Sequence, residues 1–359
     1  MDKAASGSSA QKLLVVRLSS MGDVIHALPA VSALRKALPD ATIGWVVEQR
    51  WSELLCARGC PLDGPPTEHK PLVDRVHWVR TKQWRKNLFA PSTWSDVRRG
   101  LGDVRRARYE VALDFQGAIR SAFIARCSGA AEIFGFAAPR EGPARGLYTR
   151  RVRTRAAHVI EQNLELVAAF AGAPPEAEAV LPCDPLAEQW CDRYVADHKV
   201  MNPVLMNPGA GWGAKQWPPE RYGAVARELA KDGHTILVNH GPGEESLAQA
   251  VADKSHGAAR PVLCSLGELI AMTRRAALFV GGDTGPLHLA AALKIPVVAI
   301  FGPTDPARNG PFGTRSIVLR SGESNTSHKR RAETDPGMLR ITEAEALSAA
   351  RQLLQGGTA

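Results

Sequence analysis

No run of apolar residues in this chain approaches the roughly 20 needed to cross a bilayer as a helix, so a spanning segment is excluded and a soluble protein expected. The first eleven residues, Met1 to Gln11, are small and polar and lack the apolar stretch of a signal peptide. They read as a flexible leader, and export is not expected. Cysteines are few and scattered: Cys56, Cys60, Cys127, Cys183, Cys191 and Cys264. Only Cys56 and Cys60 lie close enough in sequence to suggest a metal pair, and nothing near them completes a four-ligand zinc set. Free thiols in a reducing cytosol are therefore expected. No Walker A loop, no Gly-x-Gly-x-x-Gly after a strand and no Asp-x-Asp occurs. Aromatics are only 6% of residues and do not alternate with bases in any recognised nucleic-acid module.

What is present is a globular composition, 45% hydrophobic and 23% charged, over 359 residues, enough for two domains each with its own core. The formal net charge is +9. Much of the excess base falls between Arg75 and Arg155, so this half calls for an anionic partner. Nucleic acid, an anionic membrane surface and a phosphorylated or carboxylated substrate all qualify on charge alone.

In the first half, strand patterns at 13–18, 42–47, 75–79 and 111–115 alternate with helical patterns at 24–38, 92–108, 121–127 and 158–170. A Pro-rich stretch, 172–185, reads as a linker with an extended entry into the next domain. The second half repeats the alternation, with strands at 204–207, 235–239, 277–280 and 297–300. Its helices are expected at 219–232, 244–252, 266–276 and 286–293. A last helix, 342–354, opens on a Thr342-x-x-Glu345 capping box. The expected fold class is α/β: two Rossmann-like domains with parallel sheets whose strand ends face an interdomain cleft. The expected divisions are a leader (1–11), an acceptor-side domain (12–172), a linker (173–185), a second domain (186–340) and a terminal helix with its tail (341–359).

Three segments carry chemistry. Ser19-Ser20-Met21-Gly22-Asp23 breaks the first strand and places Asp23 at its carboxyl end, where open α/β sheets bind ligands; Asp23 reads either as a reactive carboxylate or as a helix N-cap. Asn207-Pro208-Gly209-Ala210-Gly211-Trp212-Gly213-Ala214-Lys215 is a glycine-rich loop after a strand, able to bring N–H groups and a lysine to phosphate, or to serve only as a turn. Gly281-Gly282-Asp283-Thr284-Gly285-Pro286-Leu287-His288 turns from strand to helix, with Pro286 suited to the first helical position and the positive helix end available to an anion. Asp283 could equally cap that helix and His288 could be a satisfied helix histidine. Glu244 comes after a strand-end turn and reads as a ribose-binding carboxylate or as a solvated helix-start residue.

Taken with Lys215-Gln216-Trp217-Pro218, these motifs resemble the lipopolysaccharide heptosyltransferases of glycosyltransferase family 9, over most of 12–354. The resemblance implies a GT-B fold, with an acceptor-binding N-terminal domain and a C-terminal domain for a nucleotide-sugar donor. It implies an inverting transferase moving heptose from ADP-heptose to the Kdo sugar of Kdo-lipid A, with Asp23 as general base. On the donor side it places Lys215 on the diphosphate, Asp283, Thr284, Gly285 and His288 in the donor turn, Glu244 at the ribose and Cys264 beside adenine. Thr81-Lys82-Gln83-Trp84-Arg85-Lys86 resembles the basic acceptor loop of heptosyltransferase I, and Gln116 to Ser121 and Pro139-Arg140-Glu141 also look like that enzyme. Lys82, Arg85, Lys86, Arg120 and Arg140 then become candidates for acceptor carboxylates and phosphates, or remain a solvated basic face.

No cofactor is implied, and the lack of Asp-x-Asp fits catalysis without a bound metal. The implied setting is the cytoplasmic face of the inner membrane, peripherally, as a monomer with no nucleic-acid partner. Two departures stand out. Gln162 occupies a place where the heptosyltransferase I pattern has Arg, and 324–338 lacks the cysteines that many members carry before the last helix. Alternatives are a heptosyltransferase II, a family 9 enzyme with another nucleotide sugar, and a basic nucleic-acid-binding protein.

Overall fold

The computed structural model describes residues 11–87, 89–172, 178–327 and 332–356. The expected leader, but for Gln11, and the start of the expected linker, 173–177, lie outside the described residues. Two compact units divide between Cys183 and Asp184.

The first unit holds strands β1 (Lys12–Val16), β2 (Thr42–Glu48), β3 (Arg75–Val79), β4 (Val111–Asp114), β5 (Glu132–Phe136) and β6 (Arg150–Val152). Its helices are α1 (Met21–Ala37), α2 (Thr81–Lys86), α3 (Pro91–Arg106), α4 (Ile119–Cys127) and α5 (Val159–Ala171). The strands form one wholly parallel sheet in the order β3-β2-β1-β4-β5-β6. Four of the five β1 residues are fully buried, as expected of a central parallel strand covered on both faces.

The second unit runs α6 (Pro185–Asp197), β7 (Val204–Asn207), α7 (Pro219–Lys231), β8 (Ile236–His240), α8 (Glu245–Lys254), β9 (Ala259–Leu263) and α9 (Leu266–Arg274). It continues through β10 (Leu278–Gly282), α10 (Gly285–Ala292), β11 (Val297–Phe301), the short α11 (Pro306–Asn309), β12 (Ser316–Arg320) and α12 (Glu343–Gln355). Its sheet is parallel in the order β12-β11-β10-β7-β8-β9. Each sheet has one point at which the strand order reverses, between β1 and β4 and between β7 and β10, and such points open a ligand crevice.

Apolar clusters fill both faces of the second sheet. One gathers Met206, Trp217, Tyr222, Val238 and Ile300 with Ala346 and Ala350 of α12; the other gathers Leu205, Leu237, Phe279, Leu287 and Phe301. Full burial of each large side chain contributes about 1.5–3 kcal/mol. The α12 capping box forms as its sequence predicts, with Thr342 Oγ1 accepting from the Glu345 N–H at 3.2 Å and Glu345 accepting from the Thr342 N–H at 2.7 Å.

Several elements escape the sequence pattern. β6 is a three-residue edge strand beginning Arg150-Arg151, and β9 is an edge strand with Pro261 in its middle; neither shows a central strand's apolar run. β5 carries Gly135, because Tyr148 lies across it: a Cβ there would sit 2.4 Å from the ring. Pro185, read as the end of a linker, instead opens α6 behind an Asp184 N-cap. Residues 81–86, expected as a loop, form the short helix α2.

Candidate active site

At the first switch point the chain leaves β1 at Val16, and Arg17 turns its side chain inward. Its Nη2 donates to Asp23 Oδ1 at 2.5 Å, its Nε to the Asp23 carbonyl at 3.1 Å, and its Nη1 to the carbonyl of Phe115, just past β4. Trp45 Nε1 donates to the Arg17 carbonyl at 3.1 Å, so main chain and side chain are both held. The other Asp23 oxygen, Oδ2, accepts from the Ser20 N–H at 2.7 Å and the Ser20 hydroxyl at 3.0 Å. Asp23 is thus not the N-cap of α1: Ser20 is, and Asp23 is the third helical residue, closing a capping box.

The Asp23 side chain remains 30% exposed beside an Arg17 that is 7% exposed. Burial pushes the carboxyl up, but the Arg17 guanidinium, the Ser20 N–H and hydroxyl, and nearby His26 together hold it below the ordinary carboxylate range. It is ionised at neutral pH, the state required of a general base.

The neighbouring turn, after β4, is organised by Asp114, wholly buried at the end of that strand. Its oxygens accept from the Gln116 and Gly117 N–H groups, the Ser121 hydroxyl and the Tyr148 hydroxyl, at 2.8 to 3.3 Å. Burial is the main influence on it and raises its pKa despite those donors. Gln116, so oriented, accepts the Leu18 and Ser19 N–H groups on Oε1 at 2.8 and 3.3 Å. The loop that carries Asp23 is therefore held from the end of β4, 98 positions away in sequence.

Two acceptor candidates stand at this loop. Arg120, in the first turn of α4, donates to Ser19 Oγ at 3.3 Å. Arg140 lies in a segment packed on Gly117, whose left-handed φ of 66° suits glycine and whose added Cβ would meet the Arg140 nitrogen at 3.0 Å. Lys82, Arg85 and Lys86 stand elsewhere, on α2 after the edge strand β3, two strands from β1. There Glu48 accepts the Thr81 N–H at 3.1 Å and the Thr81 hydroxyl. Gln162 directs its amide to the carbonyl of Ala156 at 2.9 Å, steadying the turn before α5.

The second switch point has its own ionic set. Lys215 Nζ donates to Asp283 Oδ2 at 2.5 Å and to the Asp283 carbonyl at 3.3 Å, and His288 Nε2 meets Asp283 Oδ1 at 3.0 Å. Asp283 is 7% exposed. Burial pushes its carboxyl up, yet the His288 and Lys215 contacts outweigh this and drive it far below the ordinary range. Thr284 is the N-cap of α10, Gly285 its first residue and Pro286 its second, one place later than expected.

From there contacts run along the strand ends of this unit. Thr284 Oγ1 donates to Asn207 Oδ1 at 3.4 Å, and Asn207 Nδ2 donates to the Asn239 carbonyl at 3.0 Å. Asn239 in turn bonds the thiol of Cys264, which burial pushes up to about 12, keeping it protonated at neutral pH. Glu244, the N-cap position of α8, accepts the Gly241 N–H at 3.0 Å and lies over the β7 loop. A Cβ on Gly209 would stand 2.5 Å from Glu244 Oε1. Trp217 anchors the other end of that loop, donating to the Ile341 carbonyl at 3.0 Å. The structure thus brings Lys215, Glu244, Cys264, Asp283, Thr284, Gly285 and His288 to one edge of one sheet.

Arg17, Asp114 and Asn239 escaped the sequence reading, while Gln116 and Asn207 stood within its motifs but were given no role of their own. An arginine directly after a buried strand was the one signal that could have marked Arg17. Among the described residues no group of three or more His, Cys, Asp or Glu is placed to hold a metal ion, and no helix is long and apolar enough to cross a membrane.

Solved structures share this architecture. Escherichia coli heptosyltransferase WaaC, solved with ADP, matches with a TM-score of 0.76 over 96% of this chain and 99% of that one, at 24% identity. E. coli ADP-heptose lps heptosyltransferase II matches with a TM-score of 0.76 over 97% of this chain and 100% of that one, at 19% identity. The two parallel six-stranded sheets with their flanking helices are those of a GT-B fold.

In sequence, lipopolysaccharide heptosyltransferase 1 of Pseudomonas aeruginosa is 31% identical over 316 residues, 86% of this chain and 84% of that protein. Lipopolysaccharide heptosyltransferase 1 of E. coli K12 is 28% identical, over 88% of this chain and 95% of that one. The family model of glycosyltransferase family 9 (heptosyltransferase) matches residues 97–338. The protein is a glycosyltransferase, and the chain belongs to family 9.

Proposed function

We propose that this protein is an inverting heptosyltransferase that moves heptose from ADP-heptose to the Kdo sugar of Kdo-lipid A. The acceptor hydroxyl gives its proton to the Asp23 carboxylate as its oxygen bonds the anomeric carbon; the bond from that carbon to the diphosphate oxygen breaks, and ADP leaves. Negative charge growing on the diphosphate meets Lys215 and the N-terminus of α10. Thr284, Gly285 and His288 shape that end of the donor site, Glu244 takes the ribose hydroxyls and Cys264 lies beside adenine. Arg120 and Arg140 hold acceptor carboxylate or phosphate next to the base, and Lys82, Arg85 and Lys86 take the outlying anionic groups. No step calls for a metal. The enzyme acts as a monomer, peripherally, at the cytoplasmic face of the inner membrane.

The observation that carries this reading is the partly exposed Asp23, held ionised at one switch point, with Lys215 held by Asp283 at the switch point of the other sheet. The relatives named above support heptose as the sugar. Purified protein incubated with ADP-heptose and Kdo-lipid A should release ADP and add one heptose to the acceptor by mass. A panel that includes other nucleotide sugars and a heptosylated acceptor tests the alternatives. No product with the first pair, or faster transfer with another, overturns the assignment.

A further inference from the structure

We infer that the exposed face of α2 and α3, with Phe89 between them, docks on an anionic lipid bilayer. This rests on the peripheral membrane contact proposed above and names the surface that would make it. Phe89 is 99% exposed, and Trp94, in the first turns of α3, is 57% exposed. Val97, Leu101 and Val104 recur at helical spacing and form the inner strip of α3, with Val104 fully buried in the core of the first unit. Trp94 and Arg98, four residues apart, lie along the margin of that strip, and Arg99 and Arg106 stand on the side away from it. Arg98, Arg99, Arg105 and Arg106 are all exposed.

From Thr81 to Arg106 the sequence has seven bases and two acids. Both acids are engaged within the protein. Asp96 accepts from Trp84 Nε1 at 2.7 Å, tying α2 to α3, and Asp103 meets His77 Nδ1 at 2.6 Å. Arg106 also faces Asp103 at 3.8 Å and Arg80 faces Asp96 at 3.9 Å, so base and aromatic rings outnumber acid on the exposed face. Aromatic rings favour the boundary between headgroup and hydrocarbon, and clustered bases are drawn to anionic headgroups, so the two act together in reversible, salt-sensitive docking. A protein partner of mixed charge would call for acids offered among the bases, and here neighbouring side chains take both acids up.

The test is sedimentation of the full-length protein with vesicles of phosphatidylcholine alone and of phosphatidylcholine mixed with phosphatidylglycerol. Neither contains an acceptor sugar, so the result is independent of whether heptose transfer is assigned correctly. The protein should sediment with the mixed vesicles and be released as salt rises. R98Q/R99Q should weaken this by about tenfold or more, and F89S/W94S should reduce the part that persists at high salt, with ADP release from the soluble reaction unchanged. As a second readout, brominated lipid should quench less fluorescence in W94F than in the parent. Equal sedimentation with both vesicle types, parental sedimentation of both variants, or binding of an RNA oligomer with indifference to vesicles overturns the proposal.

Discussion

The two sheets share one strand order and each has a carboxylate at its switch point, Asp23 beyond β1 and Asp283 beyond β10, yet the carboxylates differ. Asp23 has one strong cationic partner and keeps an exposed edge; Asp283 lies between a lysine and a histidine and is almost wholly covered. Both are held ionised, but only the first has an edge from which to take a proton. The second is engaged on both oxygens, by Lys215 and by His288. A topology repeated within one chain thus carries two electrostatic settings, and solvent access to the carboxylate separates them.

The sharpest way to break that comparison is Asp23→Asn. It should lower kcat by about 10²- to 10⁴-fold, the range for loss of a general base, while ADP affinity by calorimetry stays at the parental level. Parental turnover would remove the distinction between the two sites. Lys215→Met should cost about 10²- to 10³-fold in turnover, as loss of one preorganised charge does, and should weaken ADP binding as well.

Asp283→Asn takes the carboxylate from a mostly covered Lys215, which keeps only the main-chain carbonyl, and should cost about 3 kcal/mol in a urea denaturation series, whereas Asp23→Asn should cost less because its surroundings are wetter. The pH dependence has a definite sign. Because the folded Asp283 carboxyl is lowered, its contribution to stability is complete above the unfolded value of about 4 and fades as pH falls through the folded value. Asp283→Asn should accordingly flatten the acid limb of the stability curve.

The finest test concerns Arg17. Arg17→Met should raise the Asp23 pKa and move the acid limb of the kcat profile upward in pH, with Arg17→Lys restoring most of the shift. An unmoved acid limb in Arg17→Met would mean that Ser20 and His26 alone set the state of Asp23.

The sequence by itself determined the strand-turn-helix units. Buried strands such as Val204–Asn207, the Thr342 to Glu345 capping box and the glycine-rich turns depend on residues within a few positions of one another, so their pattern is visible along the chain. It also marked Asp23, Lys215, Glu244 and Asp283 as strand-end polar groups. Tertiary structure decided what these groups touch. Arg17 reaches the Phe115 carbonyl and Gln116 reaches the Leu18 N–H, each across 98 positions, and Lys215 meets Asp283 across 68. Edge strands such as Arg150–Val152 also awaited the fold, since they are held by pairing with a neighbour more than by apolar content of their own. The reason is one of range: backbone preferences act over a few bonds, whereas the charge state of a carboxylate is set by burial and by whichever ions the folded chain places beside it.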